Sequence, residues 1–347
     1  METIQQQIGA MQEEIKRLRE ELDVVKKGNF DKVTCKEWNV VDAEGKLRIT
    51  ALSIADGTTA MAWLDKDRKI RIVAATRADG SASVQWQDKD GLLRIMAGTA
   101  ADGDAAVQWL DKDGKLRIAA ATFADGEASV RLHDKDEKKR ISAATKADGE
   151  AQVQLGDKDG MLRITAFTSS QGLAGVHWSD KDENLRISAA TYADGEASVR
   201  LYDKDEKQRI SAATSADGKA IMQCNDKDEQ VRIAAVTLAN GLAAVQWLDK
   251  DREARISAAT FPDGQASAKM FDKDGKERIA AETTASGFTS ATVSDKDQKM
   301  RIMAAITADG DAGATMFDKD GKLRIAAGTN ANGTVYLPTE NLNPPKP

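Results

Sequence analysis

Residues 111–133 read DKDGKLRIAAATFADGEASVRLH, and this stretch decides the fold. Two turn signals bracket two short runs. The first is Asp111-Lys112-Asp113-Gly114. The second is Ala124-Asp125-Gly126, whose glycine suits the left-handed position of a bulged hairpin. After the second turn the run alternates, with Ala128, Val130 and Leu132 on one side and Glu127, Ser129 and Arg131 on the other. That is the period of a strand with one sheltered face. After the first turn, Ile118, Ala120 and Thr122 share a face and Ala119 and Ala121 lie opposite. Both faces are small or apolar, as in a strand covered on both sides.

The same unit recurs along the chain. Aspartates stand at one constant interval, Asp42, Asp65, Asp88, Asp111 and so on to Asp318, giving thirteen copies over 42–340. Within each copy an Arg follows six positions after that Asp, from Arg48 to Arg324, with Ile next and Ala two positions later. A Gly comes nine positions after the Arg, from Gly57 to Gly333. With no insertion, the simplest path is an antiparallel meander of about 26 short strands, extending roughly 125 Å at about 4.8 Å per strand. An unsupported sheet of that length exposes apolar surface, so something must cover it.

Upstream, Ile4, Ile8, Met11, Ile15, Leu18, Leu22 and Val25 are spaced alternately by four and three. This is a heptad, with Ile8, Ile15 and Leu22 at a and the others at d. Glu14 and Arg19, then Glu21 and Lys26, occupy g and the following e, as ion pairs between parallel helices do. Gly28-Asn29 follows as a cap. The spacing predicts an oligomerisation helix; the alternative is an amphipathic helix folded onto its own repeats. Ile at a with mixed d residues fits two or three helices, and we favour three. The expected organisation is a coiled coil over 1–28, a junction with a first strand over 29–41, thirteen β-repeats over 42–340 and a Pro-rich tail over 341–347. The expected fold is an all-β repeat protein behind a coiled coil, elongated into a trimeric β-prism or β-helix-like shaft, with a monomeric β-solenoid as the alternative.

The heptad of Ile4 to Val25, followed by the two-turn repeat, resembles the trimeric fibrous proteins. These join a short coiled coil to a shaft of β-strand repeats, as in phage tail fibres and trimeric adhesins. The resemblance spans the chain as architecture. It implies a self-assembling structural fibre or rod, or an adhesin- or lectin-like protein presenting repeated glycan or calcium sites.

Several columns invite chemistry. Paired aspartates of the first turn (Asp111 and Asp113, Asp157 and Asp159, Asp318 and Asp320) resemble the opening of a calcium loop. The competing reading is a hairpin turn whose Asp binds nearby amides and the following Arg. The Arg column is an anion ladder or, in the reading we favour, half of an Asp–Arg network that sets register. A Thr column (Thr76, Thr99, Thr122, Thr145, Thr168, Thr191, Thr214, Thr237, Thr260, Thr283 and Thr329) would bind ice if exposed and flat. Its alternation with Ile and Ala predicts burial instead. The Trp/Leu/Met column, including Trp63, Trp86, Trp109, Trp178 and Trp247, is read as packing rather than a sugar platform, and Cys224 falls in it. Cys35 lies in the junction. His133 and His177 occupy different repeat positions, and no nucleophile elbow, phosphate loop or metal-ligand cluster stands out, so no catalytic residue, cofactor or enzyme activity is expected.

Bulk numbers agree. Hydrophobic residues are 41% but aromatics only 5%, so the apolar content leans on alanine rather than on large core formers. Net charge is −6, which gives no basic footprint for nucleic acid. No apolar run reaches the ~18 residues of a membrane span. The acidic, Gln-rich start lacks the pattern of a signal peptide. Cytoplasmic synthesis is expected, with a virion or a non-classical extracellular route as destinations that fit a fibre.

Overall fold

The computed structural model of the chain describes residues 2–27 and 35–336. The cap Gly28-Asn29 and the tail 341–347 lie outside the described residues. One α-helix, Glu2–Lys27, precedes 27 β-strands. The chain divides into two units, residues 1–116 and 117–347. The first holds the helix and the strands from Glu37–Val41 to Ala105–Leu110. Strand Leu116–Thr122 begins at the division and pairs forward with Ala128–His133 in the second unit. In each unit the strands form an open antiparallel meander in chain order, and among the described residues each strand touches only its chain neighbours.

Both turns of each repeat are built alike. In Lys146-Ala147-Asp148-Gly149-Glu150, the Lys146 N–H donates to the Glu150 carbonyl at 2.7 Å and the Gly149 N–H to the Lys146 carbonyl at 3.0 Å. Gly149 sits at φ +89°, the left-handed conformation that costs a glycine nothing. Across the sheet, the Asp134 N–H donates to the Lys138 carbonyl at 3.0 Å and the Glu137 N–H to the Asp134 carbonyl at 3.1 Å. Here the left-handed residue is Glu137, at φ +62°.

Register follows from these turns. Thr145 pairs with Ala151, Ala143 with Val153 and Ile141 with Leu155. On the other side, Ile141 pairs with Leu132 but Lys139 with His133, so Arg140 is the extra residue of a β-bulge. The same slip recurs at Arg163 and Arg186. A bulge re-aims the residue that it holds, and each of these arginines is turned toward the Asp of its own turn.

The pairings define two faces. One carries Ile141, Ala143 and Thr145 with Leu155, Val153 and Ala151 opposite; the other carries Ser142 and Ala144 with Gln154 and Gln152 opposite. Among the described residues neither has a second layer within a unit. Consequently no large side chain is fully buried among the described residues, and the buried ones are Ala280 and the serines Ser81, Ser129, Ser142 and Ser198.

Two expectations are corrected. The Ala128/Val130/Leu132 side is not the sheltered one in a single chain: Val130 is 43% exposed and Ser129 7%. A short side chain between taller polar neighbours is covered where an apolar one facing open space is not. Ser142, for example, lies between its pairing partners Arg131 and Gln154. The Thr column is likewise open: Thr76, Thr99, Thr122, Thr145, Thr168, Thr191, Thr214, Thr237, Thr260 and Thr329 are exposed, and Thr283 is half-buried. Each ends its strand beside a turn, on the uncovered face.

Candidate functional site

The N-terminal helix presents its heptad residues outward. Ile4, Ile8, Met11, Ile15, Leu18, Leu22 and Val25 are 47–65% exposed. Among the described residues no strand packs on them. Its charges are arranged for a neighbour. Glu14 and Glu21, at g, both lie beside Arg17, at 2.7 and 3.8 Å. Arg19, at e, has no ion partner among the described residues.

The repeats add a second uncovered surface, the apolar face. Val153 and Met222 on it are exposed, as are Ile210, Trp247 and Met270. Cys224, a free thiol, stands on this face between Ile210 and Ile233 and is half-buried. Cys35, also free, is exposed in the junction. Among the described residues no helix is long and apolar enough to cross a membrane.

The Asp turns form one edge of the sheet, and their carboxylates are engaged within the chain. Asp111 Oδ1 accepts the amides of Asp113 at 2.8 Å and Lys115 at 3.0 Å, while the Asp113 carboxylate accepts from Lys112 Nζ at 2.8 Å. Asp157 Oδ1 accepts from Asp159 and Met161, and its Oδ2 faces Arg163 Nε at 2.9 Å. The Asp159 carboxylate takes Lys158 Nζ at 2.6 Å. Asp318 accepts the amides of Asp320 and Lys322 and pairs with Arg324. The first member of each calcium candidate pair thus caps its own turn, and Asp157 and Asp318 also hold their arginines. Among the described residues no three of His, Cys, Asp or Glu converge as a metal site would need.

The arginines also reach forward. Arg140 Nε donates to the Gly156 carbonyl at 3.0 Å, and Arg301 to that of Lys319 at 3.1 Å. Arg301 therefore ties its own turn to the next repeat, and Arg140 ties its turn to the last residue of its own repeat, just before the next Asp. These contacts shape acidity. Partial burial pushes the Asp180 carboxyl up, but the Asp182 amide, Arg186 and Asn184 outweigh it and hold the group down, to about 2. The same balance lowers Asp157 and Asp203, while in Asp318 the Lys322 amide leads.

At the opposite edge one repeat departs from the common turn at both its Ala and its Asp position. It carries Ser169-Ser170-Gln171-Gly172 where most others carry x-Ala-Asp-Gly. Ser169 Oγ takes over turn capping, accepting the Gln171 and Leu173 amides at 3.3 and 3.1 Å. An open groove of about 520 Å³ lies here, lined by Tyr192, Glu150, Asp194 and the 169–171 turn. Nearby, His177 packs edge-on against Phe167 with ring centres 5.0 Å apart. That phenyl ring fills the space over Gly175, where a Cβ would lie 2.9 Å from Phe167 Cζ. His133 pairs with Lys139 in the ladder, on another strand.

No protein-family model matches the chain, and no curated protein does. Among solved structures, similarity is found to the TCP domain of SAS-4 from Drosophila melanogaster, in complex with a proline-rich motif of Ana2. It is 11% identical with a TM-score of 0.29, over 46% of this chain and 86% of that one. The TcdB2–TccC3 complex with Cdc42 is 11% identical with a TM-score of 0.15, over 81% of this chain, which spans only 20% of that one. At these scores the likenesses carry no functional argument.

Proposed function

We propose that this chain is a structural, rod-forming protein. Copies join in parallel through helix Glu2–Lys27, three at a time, and close the apolar faces of their β-repeats against one another. The observation that carries the reading is the combination of an unpartnered heptad stripe and a sheet with an uncovered apolar face on the same chain. Contiguous apolar surface on that scale marks an interaction site. A second copy is the occupant because the helix complements itself. In a parallel pair Glu14 meets Arg19 of the neighbour, whereas an antiparallel pair sets Glu14 and Glu21 against their like. No catalytic role or cofactor belongs to this reading, since a unit renewed from Asp42 to Asp318 without insertion supplies no unique reactive constellation.

The test is the mass of the full chain by analytical ultracentrifugation. We expect three times the 37.4 kDa of one chain, with the asymmetric shape of a rod. A monomer would sink the reading, and a dimer would replace its copy number. A second, adhesin-like reading is favoured by the Tyr192 groove, because an aromatic ring beside carboxylates and an amide suits a sugar. A glycan array probed with the full chain and with Tyr192→Ala tests it; signal lost in the variant supports it, and silence from both discards it.

A further inference from the structure

A longer period underlies the single repeat. In the second unit, strands Ala128–His133, Ala197–Tyr202 and Ala266–Phe271 read ASVRLH, ASVRLY and ASAKMF, each three repeats after the last. Phe123, Tyr192 and Phe261, just before the second turn, keep the same interval. So do Trp178 and Trp247, which stand in AGVHWS and AAVQWL. In this unit the bulky column of the apolar face carries its two tryptophans, Trp178 and Trp247, three repeats apart, with Leu, Cys, Met or Val at its other described positions. On the other face the basic residues Arg131, Arg200 and Lys269 recur in step. Lys269 is held by Glu282 at 2.8 Å and Glu277 at 3.1 Å, whereas Arg131 and Arg200 have no ion partner among the described residues.

The Asp turn that follows the first two of these strands repeats with them, DKDEK at 134–138 and again at 203–207, while the third strand is followed by Asp272-Lys273-Asp274-Gly275. Sheet twist gives a physical reason. Adjacent strands rotate by roughly 20–25°, so the six strands of three repeats turn a sheet by about 120–150°, close to a third of a revolution. Around a threefold axis that rotation carries each copy into the orientation its neighbour held.

Resting on the three-copy rod above, we propose that three consecutive repeats are the unit of contact between copies of this chain. Tryptophans from three copies would meet in layers at Trp178 and again at Trp247, roughly 29 Å apart at about 4.8 Å per strand.

The experiment compares deletions in the full chain. Removing 180–202 or 180–225 takes out one or two repeats and breaks the phase. Removing 180–248 takes out three and restores it, although it shortens the chain most. Assembly mass and thermal midpoint are read for each. We expect the three-repeat deletion to keep the trimer with a midpoint above both shorter deletions. Midpoints that fall simply in order of length removed, within an intact trimer, overturn the three-repeat unit and leave the rod standing. A monomeric or dimeric full chain overturns both.

Discussion

Glu137 and Gly149 occupy equivalent positions of two equivalent turns, at φ +62° and +89°. A non-glycine in that conformation costs roughly 1–2 kcal/mol. Glu137→Gly should therefore raise stability by about 1 kcal/mol, part of the gain being offset by the looser unfolded chain. Gly149→Ala should lower it by a similar amount. Denaturant titration of the two variants checks the signs. Acid tests the Asp column. Asp180 titrates at about 2 in the fold against an ordinary 3.8. A depressed folded value contributes stability that is whole above the unfolded value and is lost as pH falls through the folded one. Unfolding midpoints should be flat above about pH 5 and fall between about pH 4 and 2, and Asp180→Asn should flatten part of that slope. The spacing alone shows the Asp–Arg pairing and the ADG glycine. It conceals the left-handed fourth position, because Glu, Arg and Gln fill it, and the Arg bulge, because a bulge exists only relative to the partner strand.

At the scale of elements, the helix and the strands were legible to different depths. A heptad specifies which helical residues share a stripe, and Ile4 to Val25 do share one. It leaves open what covers the stripe, and the structure adds that the described strands do not. Period-two alternation likewise shows that Val130 and Leu132 share a face but not that the face is open, because burial depends on a layer the strand itself does not encode. Substituting the a positions isolates the helix from the repeats. Ile8→Ser with Ile15→Ser removes apolar contact from the stripe and touches no strand. Truncating a well-packed aliphatic residue costs about 2–5 kcal/mol. Sedimentation should then show the rod dissociating at concentrations where the parent stays assembled, while circular dichroism retains the strand signal. Loss of the strand signal as well would mean that the zipper also sets the register of the sheets. An unchanged mass would place self-association elsewhere.

At the scale of the molecule, the two faces of one strand give opposite forecasts for a lone chain and for an assembly. In Ala220–Asn225, Met222 faces the apolar side opposite Ala212 and Ala235, and it is 46% exposed. Its neighbour Gln223 faces the other side opposite Ser211 and Ala234, and is half-buried. For a lone chain Met222→Lys is the milder change, since exposed substitutions mostly stay within about 0.5 kcal/mol. In a rod whose apolar faces are closed together, the same lysine is a buried, unpaired charge costing several kcal/mol. Gln223→Lys should pass in the rod, because its column already carries Arg200 and Lys269 one repeat before and two after. The order of the two variants in thermal midpoint therefore decides which molecule exists. If Met222→Lys is the damaging one and lowers the assembled mass, the apolar face is the seam between copies. If Gln223→Lys is the worse of the two, the sheet stands alone with its apolar face in water.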